Sequence, residues 1–80
     1  MDVSVQKIEK IKQWLLDKNP ELKDIDMEMD IFTNRLIDSL QFMTFVFYVE
    51  EVRGREIPVD NVIVENFQTL KTIKDNFLPN

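Results

Sequence analysis

A single glycine, Gly54, and three prolines in 80 residues leave this chain few places to turn sharply. Sandwiches and barrels built from many short strands need frequent tight turns, made mostly by glycine, proline and asparagine. With 44% apolar and 31% charged residues, the composition is also that of a packed soluble domain rather than a disordered segment. Helices joined by a few loops are what remains. The length fits one domain over residues 1–80, near the lower limit for a self-sufficient core, where about 60% of the unfolded surface becomes buried.

Apolar spacing divides the chain into elements. Val5, Ile8, Ile11 and Leu15 recur at helical intervals between lysines and glutamates, which predicts an amphipathic first helix. Asp2 or Ser4 can cap its start, Asn19-Pro20 stops it, and Trp14 falls at the edge of its stripe. Residues 20–37 show no sustained period and read as a long loop anchored by Leu22, Ile25, Phe32 and Leu36; loops of that length in small domains are usually functional. A second helix begins at Ser39, turns Phe42, Phe45, Val46 and Val49 to one side, and ends at Arg53-Gly54. Ile57-Pro58 is extended, residues 60–66 suit one short helix, and Thr69 caps a last helix whose Leu70, Ile73 and Phe77 face inward. The expectation is all-α: three main helices, one short helix and a long first loop.

Several chemistries are missing. There is no cysteine and no histidine, which removes disulfides, thiolate metal sites, thiol catalysis and the usual general base for a serine nucleophile. A net charge of −5 argues against nucleic acid as a partner. The longest purely apolar run, Phe45 to Val49, is far short of a membrane span, and the N-terminus lacks the basic and apolar regions of a signal peptide. A soluble, cytoplasmic, monomeric protein with no catalytic residue and no metal site of its own is expected.

Asp38-Ser39-Leu40 stands out against that background. By default Asp-Ser ahead of a helix is an N-cap. A phosphate ester on Ser39 would also lie at a helix N-terminus, where free N–H groups and the macrodipole favour negative charge. Residues 19–38 hold six acids and two bases, −4 of the total −5, so the negative field precedes this serine and would steer a basic partner towards it. Leu40, Met43 and Phe47 lie roughly opposite the Phe42/Phe45/Val46/Val49 face. Either the second helix is buried on both sides or it offers an exposed docking stripe. The docking stripe is the expected one, because the other helices suffice to cover a single face. Asp24, Asp26, Glu28 and Asp30 alternate as in the first half of a calcium loop. Met29 and Arg35 occupy the positions of that loop's essential glycine and glutamate, so a solvated, partner-steering face is expected instead. Glu50-Glu51 reads as helix surface.

With these pieces in place, the chain resembles the acyl and peptidyl carrier protein family over nearly its whole length. The segment Phe32-Thr-Asn-Arg-Leu36-Ile37-Asp38-Ser39-Leu40 is similar to the family's attachment segment. Phe45-Val46 through Val49-Glu50-Glu51 is similar to its second helix, Ile57-Pro58-Val-Asp60-Asn61-Val62 to the entry of its short third helix, and Asn66-Phe67-Gln-Thr69-Leu70 through Ile73 to its final helix. The resemblance implies a four-helix carrier bundle, with 4′-phosphopantetheine attached to Ser39 by a magnesium-dependent phosphopantetheinyl transferase. It implies that Asp38 helps hold that ion in the transfer complex, and that an acyl or aminoacyl group rides as a thioester on the arm. The implied partners are an adenylating ligase or acyltransferase and downstream ketosynthase, condensation or tailoring enzymes. Leu40, Gln41, Met43, Thr44, Phe47, Val62 and Ile63 match positions the family uses for partner contact. Gln41 and Thr44 stand where fatty-acid carriers usually have acids, so docking leans on apolar contacts, as in peptidyl carriers. Arg35 replaces a common glycine, which shifts the left-handed turn to Asn34; Arg53 replaces a buried phenylalanine, with Val52 filling the gap and the Arg head in water. The details most resemble free-standing carriers. Two rivals remain: a small helical interaction adaptor using Leu40, Met43 and Phe47 without a prosthetic group, and a hydrolase using Asp and Glu.

Overall fold

Ile8, Ile11 and Leu15 are buried along one side of α1 (Val3–Lys18), as the spacing predicts. The computed structural model describes residues 3–78. The fourth inward position is Ser4, not Val5, which is exposed. Ser4 stands four residues before Ile8 and seven before Ile11, whereas Val5 is six before Ile11 and has rotated off that side. Ser4 is therefore inside the helix and does not cap it; the other candidate cap, Asp2, lies outside the described residues. Asn19 ends α1 from a buried position. Its side-chain amide donates to the Leu15 carbonyl at 2.8 Å and to the Leu36 carbonyl at 2.8 Å, so one residue closes the helix and ties down the far end of the loop that follows.

That loop, residues 19–38, is packed rather than extended. Ile25, Ile31, Leu36 and Ile37 are buried, while Leu22 and Phe32 pack against the core from half-buried positions. The radius of gyration, 11.7 Å, is that of a compact chain of this length, roughly 12 Å. Asp30 organises the central turn: its Oδ1 accepts from the backbone N–H of Phe32 and of Thr33. The turn closes when Leu36 N–H donates to the Ile31 carbonyl and Arg35 N–H to the Phe32 carbonyl, the paired pattern of a Schellman motif. That motif demands a left-handed residue at its penultimate position, and the position is Arg35, with φ of 57°. The expectation that Asn34 takes this geometry is corrected. The cap at Asp30 sets the count, and the count puts the strain of about 1–2 kcal/mol on the arginine. Asn34 instead donates its side-chain amide to the Asp30 carbonyl.

The loop is clasped to the end of the chain. Ile31 N–H donates to the Gln68 carbonyl at 2.8 Å, Lys71 N–H to the Met27 carbonyl at 3.0 Å, and the Gln68 side-chain amide to Asp30 Oδ2 at 2.7 Å.

Helix α2 (Ser39–Arg53) buries Phe45, Val46 and Val49 and ends at Gly54, whose φ of 89° closes the helix through its N–H to the Glu50 carbonyl. Glu50 is not simple helix surface: its Oε2 accepts from Ile57 N–H at 2.8 Å and holds the chain's return. The Arg53 head is likewise engaged rather than left to water. Its Nη1 donates to the Glu56 carbonyl at 2.8 Å, and the guanidinium lies 5.7 Å from the centre of the Phe77 ring, a cation–π distance. Val52 packs against the core as expected.

Residues 60–66 do not form one short helix. Two 3-10 turns, Val59–Asn61 and Val64–Phe67, are separated by Val62 and an extended Ile63. Three consecutive β-branched residues, Val62-Ile63-Val64, disfavour continuous helix there. Helix α3 (Leu70–Phe77) is capped by Thr69, whose hydroxyl oxygen accepts from Thr72 N–H, and it buries Leu70, Ile73 and Phe77. Helix α1 packs against both α2 and α3. Edge-to-face and tilted rings link Phe32, Phe42, Phe67, Phe45 and Trp14 through the centre, with Phe77 beside Phe67. Trp14 sits at the core's edge as expected, stacked on Tyr48 under the Lys18 ammonium. The described residues contain three α-helices and no strand.

Candidate functional site

The head of α2 is built by a reciprocal cap. Asp38 Oδ1 accepts from Gln41 N–H at 2.8 Å, and Gln41 Oε1 accepts from Asp38 N–H at 3.0 Å. This capping box fixes where the helix starts and makes Ser39 its first residue. Ser39 is exposed, so its hydroxyl is open to a macromolecule arriving from solvent. Among the described residues no hydrogen bond joins its hydroxyl to a base: the nearest titratable neighbour in sequence, Asp38, spends a carboxylate oxygen on the cap, and the chain has no histidine.

Beside Ser39 lies an open cleft of about 380 Å³. Its apolar lining comes from Phe32, Ile37, Phe42 and Val64, its polar lining from Arg35, Asp38 and Ser39. The Schellman turn delivers Phe32 and Arg35, α2 delivers Phe42, and the second 3-10 turn delivers Val64, so three separate segments converge on the serine. The sequence did not mark Arg35, Ile37 or Val64 as site residues. Only the register of the turn that starts at Asp30 could have placed the arginine there.

The second side of α2 is exposed: Leu40 by 88%, Phe47 by 60% and Met43 by 45%. These three large apolar side chains lie along one helix, with the exposed Thr44 among them. A helix buried on both sides is thereby excluded. Gln41 is half-buried in its cap. Of the two further candidates for partner contact, Ile63 is exposed, whereas Val62 is half-buried against the core. Val59 and Val64, which the sequence reading passed over, are exposed as well.

The alternating carboxylates of the loop have separate employments. Asp24 pairs with Lys12 at 3.2 Å, Asp26 accepts from Glu28 N–H, and Asp30 holds its turn. Among the described residues no group of three or more such side chains is placed to hold a metal ion. The N–H of Thr33 chiefly holds the Asp30 carboxyl below its ordinary value against the opposing effect of desolvation, with smaller help from Gln68, the Thr33 side chain and the Phe32 N–H. The Ile25 N–H, followed by Lys12, does the same for Asp24. No helix among the described residues is long and apolar enough to cross a membrane.

No family model matches this chain, and neither a curated protein nor a solved structure matches it.

Proposed function

We propose that this protein is a carrier. Ser39 is the attachment point of a 4′-phosphopantetheine arm, and partner enzymes load and use that arm. The single observation that carries this reading is an exposed serine, with no base of its own, held at the head of a helix by a cap that leaves its hydroxyl free. The residues at hand fit such a group. Ser39 offers the oxygen to be esterified, the first turn of α2 favours the phosphate charge, and the adjoining cleft has room and apolar lining for the start of the arm. When bound, the arm supplies a terminal thiol that carries an acyl or aminoacyl group as a thioester, the chemistry a chain without cysteine cannot supply itself.

In this reading Asp38 has a free carboxylate oxygen for a magnesium ion in the transfer complex. Leu40, Met43 and Phe47 form the partner-docking stripe, with Ile63 and Thr44 at its margins. The fold of this carrier is a four-helix bundle in which the two turns over residues 59–67 stand for the short third helix. A free-standing, cytoplasmic, monomeric carrier is the form proposed, served by a phosphopantetheinyl transferase, an adenylating ligase or acyltransferase, and downstream condensing or tailoring enzymes.

Intact mass after incubation with coenzyme A, magnesium and a promiscuous transferase tests the proposal. A gain equal to one phosphopantetheinyl group, absent from Ser39→Ala, is expected. No gain in either protein would instead favour an adaptor that uses the exposed α2 stripe alone.

A further inference from the structure

Arg35 is costly where it stands. A left-handed backbone at φ of 57° is one that glycine occupies without strain, yet the position carries a long side chain with a permanent charge. No hydrogen bond or ion pair among the described residues engages its guanidinium, although the loop around it is rich in carboxylates. It lines the cleft together with Ser39. Strain tolerated at one residue, with its functional group left unspent beside the proposed attachment serine, points to a ligand that the group meets there.

The nature of that ligand follows from the cleft. An arginine fork matches phosphate oxygens and pairs with them through charge-assisted hydrogen bonds. Phe32, Phe42 and Val64 offer an apolar wall immediately beside it. The arm proposed above has the same order of chemistry: a singly charged phosphodiester directly on the serine oxygen, then a methylene, then a carbon bearing two methyl groups.

We propose that Arg35 and the cleft seat the first part of the arm, the guanidinium pairing with the phosphodiester on Ser39 while Phe32, Phe42 and Val64 pack against the dimethyl carbon. This rests on the carrier reading and adds to it that the arm leaves the protein in a fixed direction. The Asp38 carboxylate also lines the cleft and would repel the phosphodiester. A cation three residues earlier in the same loop offsets that repulsion, whereas glycine would leave it uncompensated. Arg35 is thus a positioning residue, and its absence should not prevent attachment.

The test uses the full chain loaded with pantetheine carrying carbon-13 in both geminal methyls, for the natural sequence and for Arg35→Gly and Arg35→Gln. Glycine suits the left-handed backbone, so at least one variant keeps the fold. All three proteins should show the phosphopantetheinyl mass gain. In the natural protein the labelled methyls should give nuclear Overhauser contacts to the Phe32 and Phe42 rings and the Val64 methyls. Both variants should lose these contacts, with a shift of the phosphorus-31 resonance. Absence of the contacts in the loaded natural protein, or their persistence in both variants, overturns the seat while leaving the carrier reading intact. Absence of any mass gain overturns both.

Discussion

Asp38 caps α2, and in the proposed carrier it also holds magnesium during transfer; one substitution can separate the two. Asparagine caps a helix about as well as aspartate, so Asp38→Asn should melt within a degree or two of the parent while accepting the arm at least about tenfold more slowly, since a lost metal contact is worth several kcal/mol. Equal transfer rates would show that this carboxylate serves only the helix. At Arg35, glycine relieves the left-handed strain but adds freedom to the unfolded chain; the balance is a gain of about 0.5–1 kcal/mol for Arg35→Gly in urea unfolding. Asp30 carries an acid dependence. Its folded pKa is depressed, so its contribution to stability is fully present above the ordinary carboxylate value of about 3.9 and is lost as pH falls through the lower folded value. Asp30→Asn should therefore be less stable than the parent near neutrality, and the gap should shrink steadily below about pH 4. Ser39 and Asp38 were legible from the sequence because a helix cap is a local motif. Arg35 was not, because its role depends on which residue opens a turn five positions earlier.

Helix α2 shows what periodicity can and cannot decide. Two apolar stripes were visible in its sequence, and the pattern alone could not say whether the second was covered. The packing answers it: α1 and the rest of the core take up Phe45, Val46 and Val49, while Leu40, Met43 and Phe47 stay outside. Met43→Glu should change stability by no more than about 0.5 kcal/mol, as surface changes do, yet reduce turnover with any loading enzyme. A melting temperature lowered by several degrees would place Met43 in the core. Phe45→Ala, by contrast, should cost about 3–5 kcal/mol, enough to threaten folding in so small a domain. The ends of the helices were legible from Asn19, Gly54 and Thr69, each a strong stop or start signal. The segment over residues 59–67 misled because its composition suits a helix turn by turn, while the β-branched run at its centre breaks the continuity.

The whole molecule depends on how a long loop is held. Burial of Ile25, Ile31, Leu36 and Ile37 fixes its interior, Asn19 ties its two ends together, and the Gln68 and Lys71 contacts hold its middle. Asn19→Ala leaves two buried carbonyls without their donor and should cost about 1–3 kcal/mol, a fall of roughly 4–8 °C in melting temperature for each kcal/mol in a domain of this size. Amide exchange should find Ile31 and Lys71 opening together, since each is bonded across the same clasp. None of this clasp was legible: backbone bonds between distant segments leave no mark on composition or period. The charge asymmetry was, and it predicts association with a basic partner that slows as ionic strength rises past about 0.1 M.

The clasp also orders events in time. Gln68 and Lys71 leave the ribosome long after Ser39 does, and until they arrive the turn carrying Phe32 and Arg35 has nothing to lean on. A nascent chain therefore shows the serine early but completes its surroundings late, so in the proposed carrier attachment of the arm is an event that follows translation rather than one that accompanies it.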